Sequence, residues 1–99
     1  MPKITVHVAH TLDSTMAWEK LQGALEKTVT DFQGNNLQLT KTGDAADFSF
    51  KSMAFTIKGR AEVKEGDASV EVDLPFAAMM YKDKAERAIQ KNLTRALAS

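Results

Sequence analysis

The histidines and two of the aspartates are the side chains whose spacing could form a metal site. His7 and His10 lie three residues apart near the start of the chain. Residues three apart in a strand point to opposite faces, so one ion could bind both only if the strand bent. Asp44 and Asp47 flank a polar turn and lack the ligand spacing of a calcium loop. We therefore interpret the histidines as surface and loop residues and the aspartates as turn residues, and predict no metal site.

The chain also lacks the motifs of the common catalytic classes. Because it has no cysteine, it cannot form thiolate zinc sites, cysteine nucleophiles or disulfides. It has no GxSxG sequence around a serine and no glycine-rich phosphate loop. We predict a protein that is not an enzyme and needs no cofactor.

An uncharged run of eight residues, Leu74 to Tyr81, is the strongest candidate for an interaction surface. The pattern favours a buried corner where the last strand meets the following helix, because a segment that is apolar all round must be covered on more than one side. The alternative is an exposed surface with flexible methionines, which could meet a partner protein, a second copy of the chain or an apolar surface. The residues of this candidate, the apolar patch, are Phe76, Met79, Met80 and Tyr81.

Four basic residues follow the apolar run at spacings of three, four and four, which places them along one stripe of a helix. This basic stripe consists of Lys84, Arg87, Lys91 and Arg95. Ordinary solvation of a surface helix is the favoured explanation, and contact with phosphates or an anionic surface is the alternative. The stripe contains no aromatic side chain on which bases could stack, which argues against single-stranded nucleic acid as a partner.

Gly59 occupies the buried face of a strand, at a position where a side chain would normally pack. A bulge or the close approach of a helix is the favoured explanation. The alternative is a cavity for a small apolar ligand, with Trp18, Phe50, Phe55 and Leu93 around Gly59 as its lining.

Residues 54–76 predict a long β-hairpin, because apolar and charged residues alternate on both sides of Glu65-Gly66. A two-residue turn at Glu65-Gly66 places three pairs of oppositely charged residues opposite each other. These pairs are Lys64 with Asp67, Arg60 with Glu71 and Lys58 with Asp73. A four-residue loop would instead set Glu62 against Glu71, which is unfavourable. We therefore predict the two-residue turn and expect the charges of the hairpin to satisfy one another.

The remaining periodicities complete an α+β fold of order β-α-β-β-β-β-α in one domain, residues 1–99. A first strand precedes a helix that Thr11 or Asp13 can cap and that Gly34 can end. A second helix follows Pro75. Because each strand has one apolar face, we predict a two-layer structure: a five-stranded antiparallel sheet with both helices on one face. The first strand is expected to pair with the fifth.

Charge and hydropathy indicate a cytoplasmic protein. Thirteen basic and thirteen acidic residues cancel, which does not suggest a nucleic-acid-binding protein. The chain begins with a strand rather than a signal peptide, and no apolar run approaches the roughly 20 residues of a transmembrane segment.

Several fixed points spread along the chain resemble one family. They are the start MPKITV, the residues His10-Thr11-Leu12, Gly59, the sequence VEVDLP, and Lys84, Ile89 and Leu93 of the last helix. Together, in their order and spacing, they resemble the polyhydroxyalkanoic acid system family. The resemblance implies a small bacterial protein associated with polyhydroxyalkanoate storage granules or their regulation, and it carries over no catalytic residue. The topology also resembles a shortened helix-grip fold, whose larger members hold apolar ligands between the sheet and a long C-terminal helix.

Two functions follow from these features. The leading hypothesis is a non-catalytic protein that binds a granule surface or a protein partner through the apolar patch and the basic stripe. The alternative is a small apolar-ligand carrier with a cavity between sheet and helices. Binding of nucleic acid through the basic stripe ranks last.

Overall fold

The sheet and helices follow the predicted order. A computed structural model of the chain describes residues 3–52 and 55–98. The strands are β1 (Lys3–Ala9), β2 (Gly34–Thr42), β3 (Ala45–Ser52), β4 (Phe55–Lys64) and β5 (Asp67–Asp73). The helices are α1 (Ser14–Asp31) and α2 (Lys82–Leu97), and a 3₁₀ segment (Phe76–Tyr81) connects β5 to α2.

All five strands form one antiparallel sheet in the order β1-β5-β4-β3-β2. The expected pairing of the first strand with the fifth is therefore confirmed. Along β1 the residues alternate strictly between exposed and buried, as a half-buried strand requires. α1 and α2 pack against each other and cover the inner face, which confirms the two-layer α+β fold.

The β4–β5 hairpin has the predicted register. Lys64 lies opposite Asp67 and Arg60 opposite Glu71, and the sequence of pairs continues without a shift to Lys58 and Asp73. Gly66 has a φ of 80°, which is the left-handed conformation that such a turn needs.

The ion pairs on the outer face do not follow that register, so the expectation that the hairpin charges satisfy one another is wrong. Lys3 Nζ of β1 lies 2.9 Å from Glu71 Oε1, and Arg60 Nη1 lies 3.3 Å from Asp47 Oδ1 of β3. The hydrogen bond to Glu71 and the charges of Glu71 and Asp73 raise the pKa of Lys3. The reason is that each hairpin strand has a second neighbour in the sheet, and long side chains reach it as easily as their partner in the hairpin.

The ends of α1 confirm one predicted residue and correct another. Asp13 caps the helix, since its Oδ1 accepts a hydrogen bond of 2.8 Å from Met16 N. The predicted stop at Gly34 is wrong, because Gln33 has the left-handed φ of 54° and Gly34 already belongs to β2. Gly34 is instead a point of close approach, where a Cβ would lie 2.8 Å from Lys51 O.

His7 is exposed and His10 lies in the loop after β1, as predicted, but the side chain of His10 is buried in that loop. Leu12 N donates to His10 Nδ1 over 3.1 Å, so the neutral ring carries its proton on Nε2 and donates it to Lys64 O over 2.9 Å. His10 N also donates to Gly66 O. His10 thus fastens the start of α1 to the hairpin turn, a contact between residues more than fifty positions apart in sequence.

Gly59 marks neither a bulge nor a gap, and both interpretations of it are corrected. The pairing of β4 with β3 and β5 runs through Gly59 without a shift. Phe48 lies directly opposite on β3, and a Cβ on Gly59 would fall 2.4 Å from Phe48 Cζ and 2.6 Å from Glu71 O. The aromatic ring of Phe48 therefore covers the glycine and fills the volume that its missing side chain leaves.

Gly59→Ala is expected to destabilise the fold by about 1–3 kcal/mol, because the new methyl group must displace a buried ring and overlaps a backbone oxygen. Gly23→Ala is the matched control. Gly23 lies inside α1 with no atom within 4 Å of its Cβ position, so this substitution should stabilise by roughly 0.5–1 kcal/mol. Urea unfolding measures the change in the free energy of unfolding of each variant. If Gly59→Ala were as stable as the native protein, the role assigned to Phe48 would be contradicted.

Candidate functional site

The 3₁₀ segment divides its side chains between the core and the solvent. A 3₁₀-helix has three residues per turn, so residues three apart lie above one another. Ala78 is buried, and it lines a cavity between the sheet and the helices. Tyr81, three residues later, lines the same cavity. The side chains of Phe76, Met79 and Met80 are 69%, 52% and 80% exposed. The favoured interpretation of this run as a buried corner is therefore wrong, because only one ridge of the segment faces the core.

The exposed apolar side chains are concentrated at this one place. Among the described residues, the large hydrophobic side chains that are exposed are those of the apolar patch and Met16. Met16 lies in the first turn of α1, near the opposite end of β5 from the 3₁₀ segment. A cluster of exposed apolar side chains on an otherwise polar surface is typical of an interaction site.

The residues of the basic stripe are all exposed on α2, but they do not form one uniform surface. Lys84 lies next to the apolar patch, at the edge of the cavity between the sheet and the helices. Lys91 faces α1 closely enough to influence the carboxyl group of Asp31. Arg95 lies beside Glu19 of α1 in a shallow depression. Only the first part of the stripe therefore adds positive charge to the apolar patch.

A cavity of about 90 Å³ lies between the inner face of the sheet and the two helices. Its lining includes Phe50 and Phe55, as predicted, but not Trp18, Gly59 or Leu93, so the predicted lining is wrong at these three positions. The side chains that line it are Leu25, Thr28, Val29, Phe32, Leu37, Phe48, Phe50, Ser52, Phe55, Ile57, Val72, Leu74, Ala78, Tyr81, Lys84, Ala85 and Ile89.

Trp18 and Leu93 pack elsewhere in the core. Lys41 Nζ lies 4.9 Å from the centre of the Trp18 ring, a cation–π contact at the sheet edge formed by β2. The Nε1 atom of Trp18 is buried and has no hydrogen-bond partner among the described residues. Leu93 is only 1% exposed within the core. Periodicity places both side chains on the inner side of their helices, but it does not show where between helix and sheet a space remains.

The hydroxyl groups of Thr28 and Ser52, which lie in the lining, are engaged within the protein. Thr28 Oγ1 donates to Ala24 O over 2.8 Å and accepts from Asn92 Nδ2 over 2.9 Å. Ser52 Oγ donates to Phe32 O over 2.8 Å. The interior of the cavity is therefore apolar in its chemistry as well as in most of its residues.

Asn92 is a buried polar residue that sequence reasoning missed. Besides Thr28, its Nδ2 donates to Asp31 Oδ2 over 3.2 Å and so connects α2 to α1 at two points. This hydrogen bond is the largest cause that lowers the pKa of Asp31 below its ordinary value of 3.8, and Lys27 and Lys91 act in the same direction. The available signal was an asparagine at helical spacing from Ile89, within the apolar stripe of α2.

Metal ligation and membrane-spanning helices were sought in the described residues, 3–52 and 55–98. Within these ranges, no three or more His, Asp or Glu side chains are grouped so that they could hold a metal ion. The described helices include none that is both long and apolar enough to span a membrane.

Comparison with known proteins identifies the family. The family model described as "Putative polyhydroxyalkanoic acid system protein" matches residues 4–97. The chain belongs to this family. The match covers both helices and all five strands nearly from end to end, so the predicted membership in the polyhydroxyalkanoic acid system family is confirmed.

The other comparisons add little to the assignment of the chain to this family. No curated protein matches the chain. Among solved structures, TTHA0849 from Thermus thermophilus is similar at 10% identity, with 98% of this chain and 92% of that chain covered and a TM-score of 0.40.

In this polyhydroxyalkanoic acid system protein, Asn92→Ala is expected to raise the pKa of Asp31 toward its ordinary value and to destabilise the fold near neutral pH by about 1–3 kcal/mol. In the native protein the lowered pKa means that Asp31 contributes stability above about pH 3.8, which is lost as the pH falls through its folded-state pKa. The variant should therefore lose less stability on acidification.

The carboxyl chemical shift of Asp31, followed by NMR through a pH titration, measures the first effect, and urea unfolding at neutral and acidic pH measures the second. Gln90→Ala is the control, since the side chain of Gln90 is on the exposed face of α2 and donates a hydrogen bond to Thr94 of its own helix. An unchanged Asp31 titration in Asn92→Ala would contradict the assigned cause.

Proposed function

We propose that this protein acts by binding rather than by catalysis, and that the apolar patch docks on the surface of polyhydroxyalkanoate granules in the cytoplasm. The observation that carries the proposal is the exposure of Phe76, Met79 and Met80 on one short segment. Membership in the polyhydroxyalkanoic acid system family supports the choice of surface.

The free energy of such docking comes from removing apolar side chains from water. Full burial of one Phe or Met side chain is worth about 1.5–3 kcal/mol, so three partly buried side chains can hold a small protein on a surface. Methionine side chains are flexible and adapt to an irregular surface, which a polymer presents. Ala78 and Tyr81 hold the backbone of the segment against the cavity, so little order needs to be gained on docking.

Positive charge next to the apolar patch supports docking through this side of the protein. Lys84 follows the patch on the first turn of α2, and the lining around it contains no acidic side chain. An exposed lysine adds only a small, salt-sensitive attraction to an anionic surface. The apolar side chains are therefore expected to provide most of the affinity.

Partition onto protein-free polyhydroxyalkanoate particles tests the proposal. The double substitution Phe76→Ser and Met80→Ser should reduce the bound fraction at least about tenfold, because it removes two exposed apolar side chains from the contact. Both residues are exposed, so the stability of the fold should change by less than about 0.5 kcal/mol per substitution.

Met16→Ser is the matched control, since it removes an exposed methionine at the other end of the sheet and should leave partition unchanged. Equal partition of the double variant and the parent would refute the role of the patch. Binding to native granules but not to protein-free particles would instead assign the patch to a protein partner.

A further inference from the structure

The cavity between the sheet and the helices reaches the solvent beside Tyr81 and Lys84. Of the described side chains that line it, these two are the exposed ones, and the others are buried or half-buried. The opening thus lies where the 3₁₀ segment meets α2. It has a lysine on its rim, and the lining contains neither aspartate nor glutamate.

The inner surface restricts what can enter. The two hydroxyl groups of the interior, on Thr28 and Ser52, already have partners within the protein. A polar group placed deep in the cavity would lose its hydrogen bonds to water and find few in return, because the hydrogens of both hydroxyl groups are already donated within the protein. The part of any occupant that lies inside must therefore be hydrocarbon.

The volume restricts how much hydrocarbon can enter. An engineered apolar cavity of about 150 Å³ takes up benzene, so a cavity of about 90 Å³ has room for roughly four carbon atoms. It is too small for a long fatty acid or a sterol, since pockets for drug-sized ligands start at about 300 Å³.

The rim of the opening determines which chemical group the other end of the ligand can carry. Among the described residues, no ion pair engages Lys84, so its ammonium group is free to bind an anion. A ligand with a short hydrocarbon chain and a terminal negative charge would match both regions, with its chain inside and its charge at the opening.

We propose that this cavity binds short-chain aliphatic carboxylates, with the acyl chain among Leu74, Ala85 and Ile89 and the carboxylate at Lys84. This site shares only Tyr81 with the apolar patch, because Ala78 and Tyr81 line the cavity whereas Phe76, Met79 and Met80 do not and are exposed. The binding of carboxylates therefore does not depend on docking at a granule.

A chain-length series tests the hydrocarbon part. Propionate, butyrate, pentanoate, hexanoate and octanoate are titrated into the protein while methyl NMR signals are followed. Affinity should rise about fourfold for each added methylene and stop rising once about four carbons are buried. The signals of Leu74 and Ile89 in the lining should shift saturably, and those of Val63, which does not line the cavity, should not.

A charge test examines the rim. Pentylammonium, with a chain like that of pentanoate but the opposite charge, should bind at least about twofold to fivefold more weakly, as expected for one exposed ion pair. Lys84→Glu should reverse this preference. Lys58→Glu is the control for net charge, since Lys58 is exposed on the outer face of β4 and should leave the preference unchanged.

A filling test examines the cavity itself. Ala85→Leu places a larger side chain in the lining and should abolish pentanoate binding, whereas Ala88→Leu, at a half-buried position of α2 that does not line the cavity, should preserve it. If Ala85→Leu fails to fold, the chain-length and charge tests still decide whether the cavity binds short-chain carboxylates.

No saturable shift with any carboxylate, equal binding of pentylammonium and pentanoate, or binding that ignores chain length would each overturn the proposal. The Phe76→Ser and Met80→Ser protein should still bind pentanoate. Failure of granule partition and failure of carboxylate binding are therefore separate outcomes.

Discussion

The pairing of β4 with β5 determines which face of the sheet is wet, because a shift of one residue in a strand exchanges its buried and exposed side chains. Its turn at Gly66 sets Ala61 opposite Val70 on the inner face and Arg60 opposite Glu71 on the outer face. β5 then pairs with β1, and β4 with β3, so the same alternation extends across the sheet. Both helices pack on the resulting apolar face, and the cavity lies between them and this face.

The 3₁₀ segment relates the cavity to the outer surface of the protein. If the chain after Pro75 continued directly as an α-helix, its side chains would follow the 3.6-residue period of α2. The three-residue period instead places Ala78 and Tyr81 along the cavity, with Tyr81 partly in water, and leaves Phe76, Met79 and Met80 exposed. One short element therefore contributes both to the cavity opening and to the apolar patch.

The two helices above the cavity are joined by a small polar network in an otherwise apolar interface. Asn92 binds Thr28 and Asp31 at once, and Thr28 is also part of the cavity lining. Because an unpaired buried amide would be costly, the network favours one relative position of α1 and α2. That position sets the distance between the helices and the sheet, and hence the volume that remains between them.

Features that depend on neighbours in sequence could be predicted from the sequence. The strands, the helices, their apolar faces and the hairpin register follow from periodicity and from charges a few residues apart. The structure has them as expected, apart from the end of α1 and the 3₁₀ segment that precedes α2. The register was predictable because a two-residue turn pairs opposite charges, whereas a four-residue turn would set Glu62 against Glu71.

Features that depend on contacts between distant segments were decided only by the tertiary structure. His10 is buried because the hairpin turn at Gly66 lies against the end of β1. Gly59 leaves no gap because Phe48, on the neighbouring strand, lies over it. Phe76, Met79 and Met80 are exposed because no other described element covers the outer side of the 3₁₀ segment. In each case the sequence determined the local backbone and the chemistry of the side chain, whereas burial depended on which distant part of the chain packed against it.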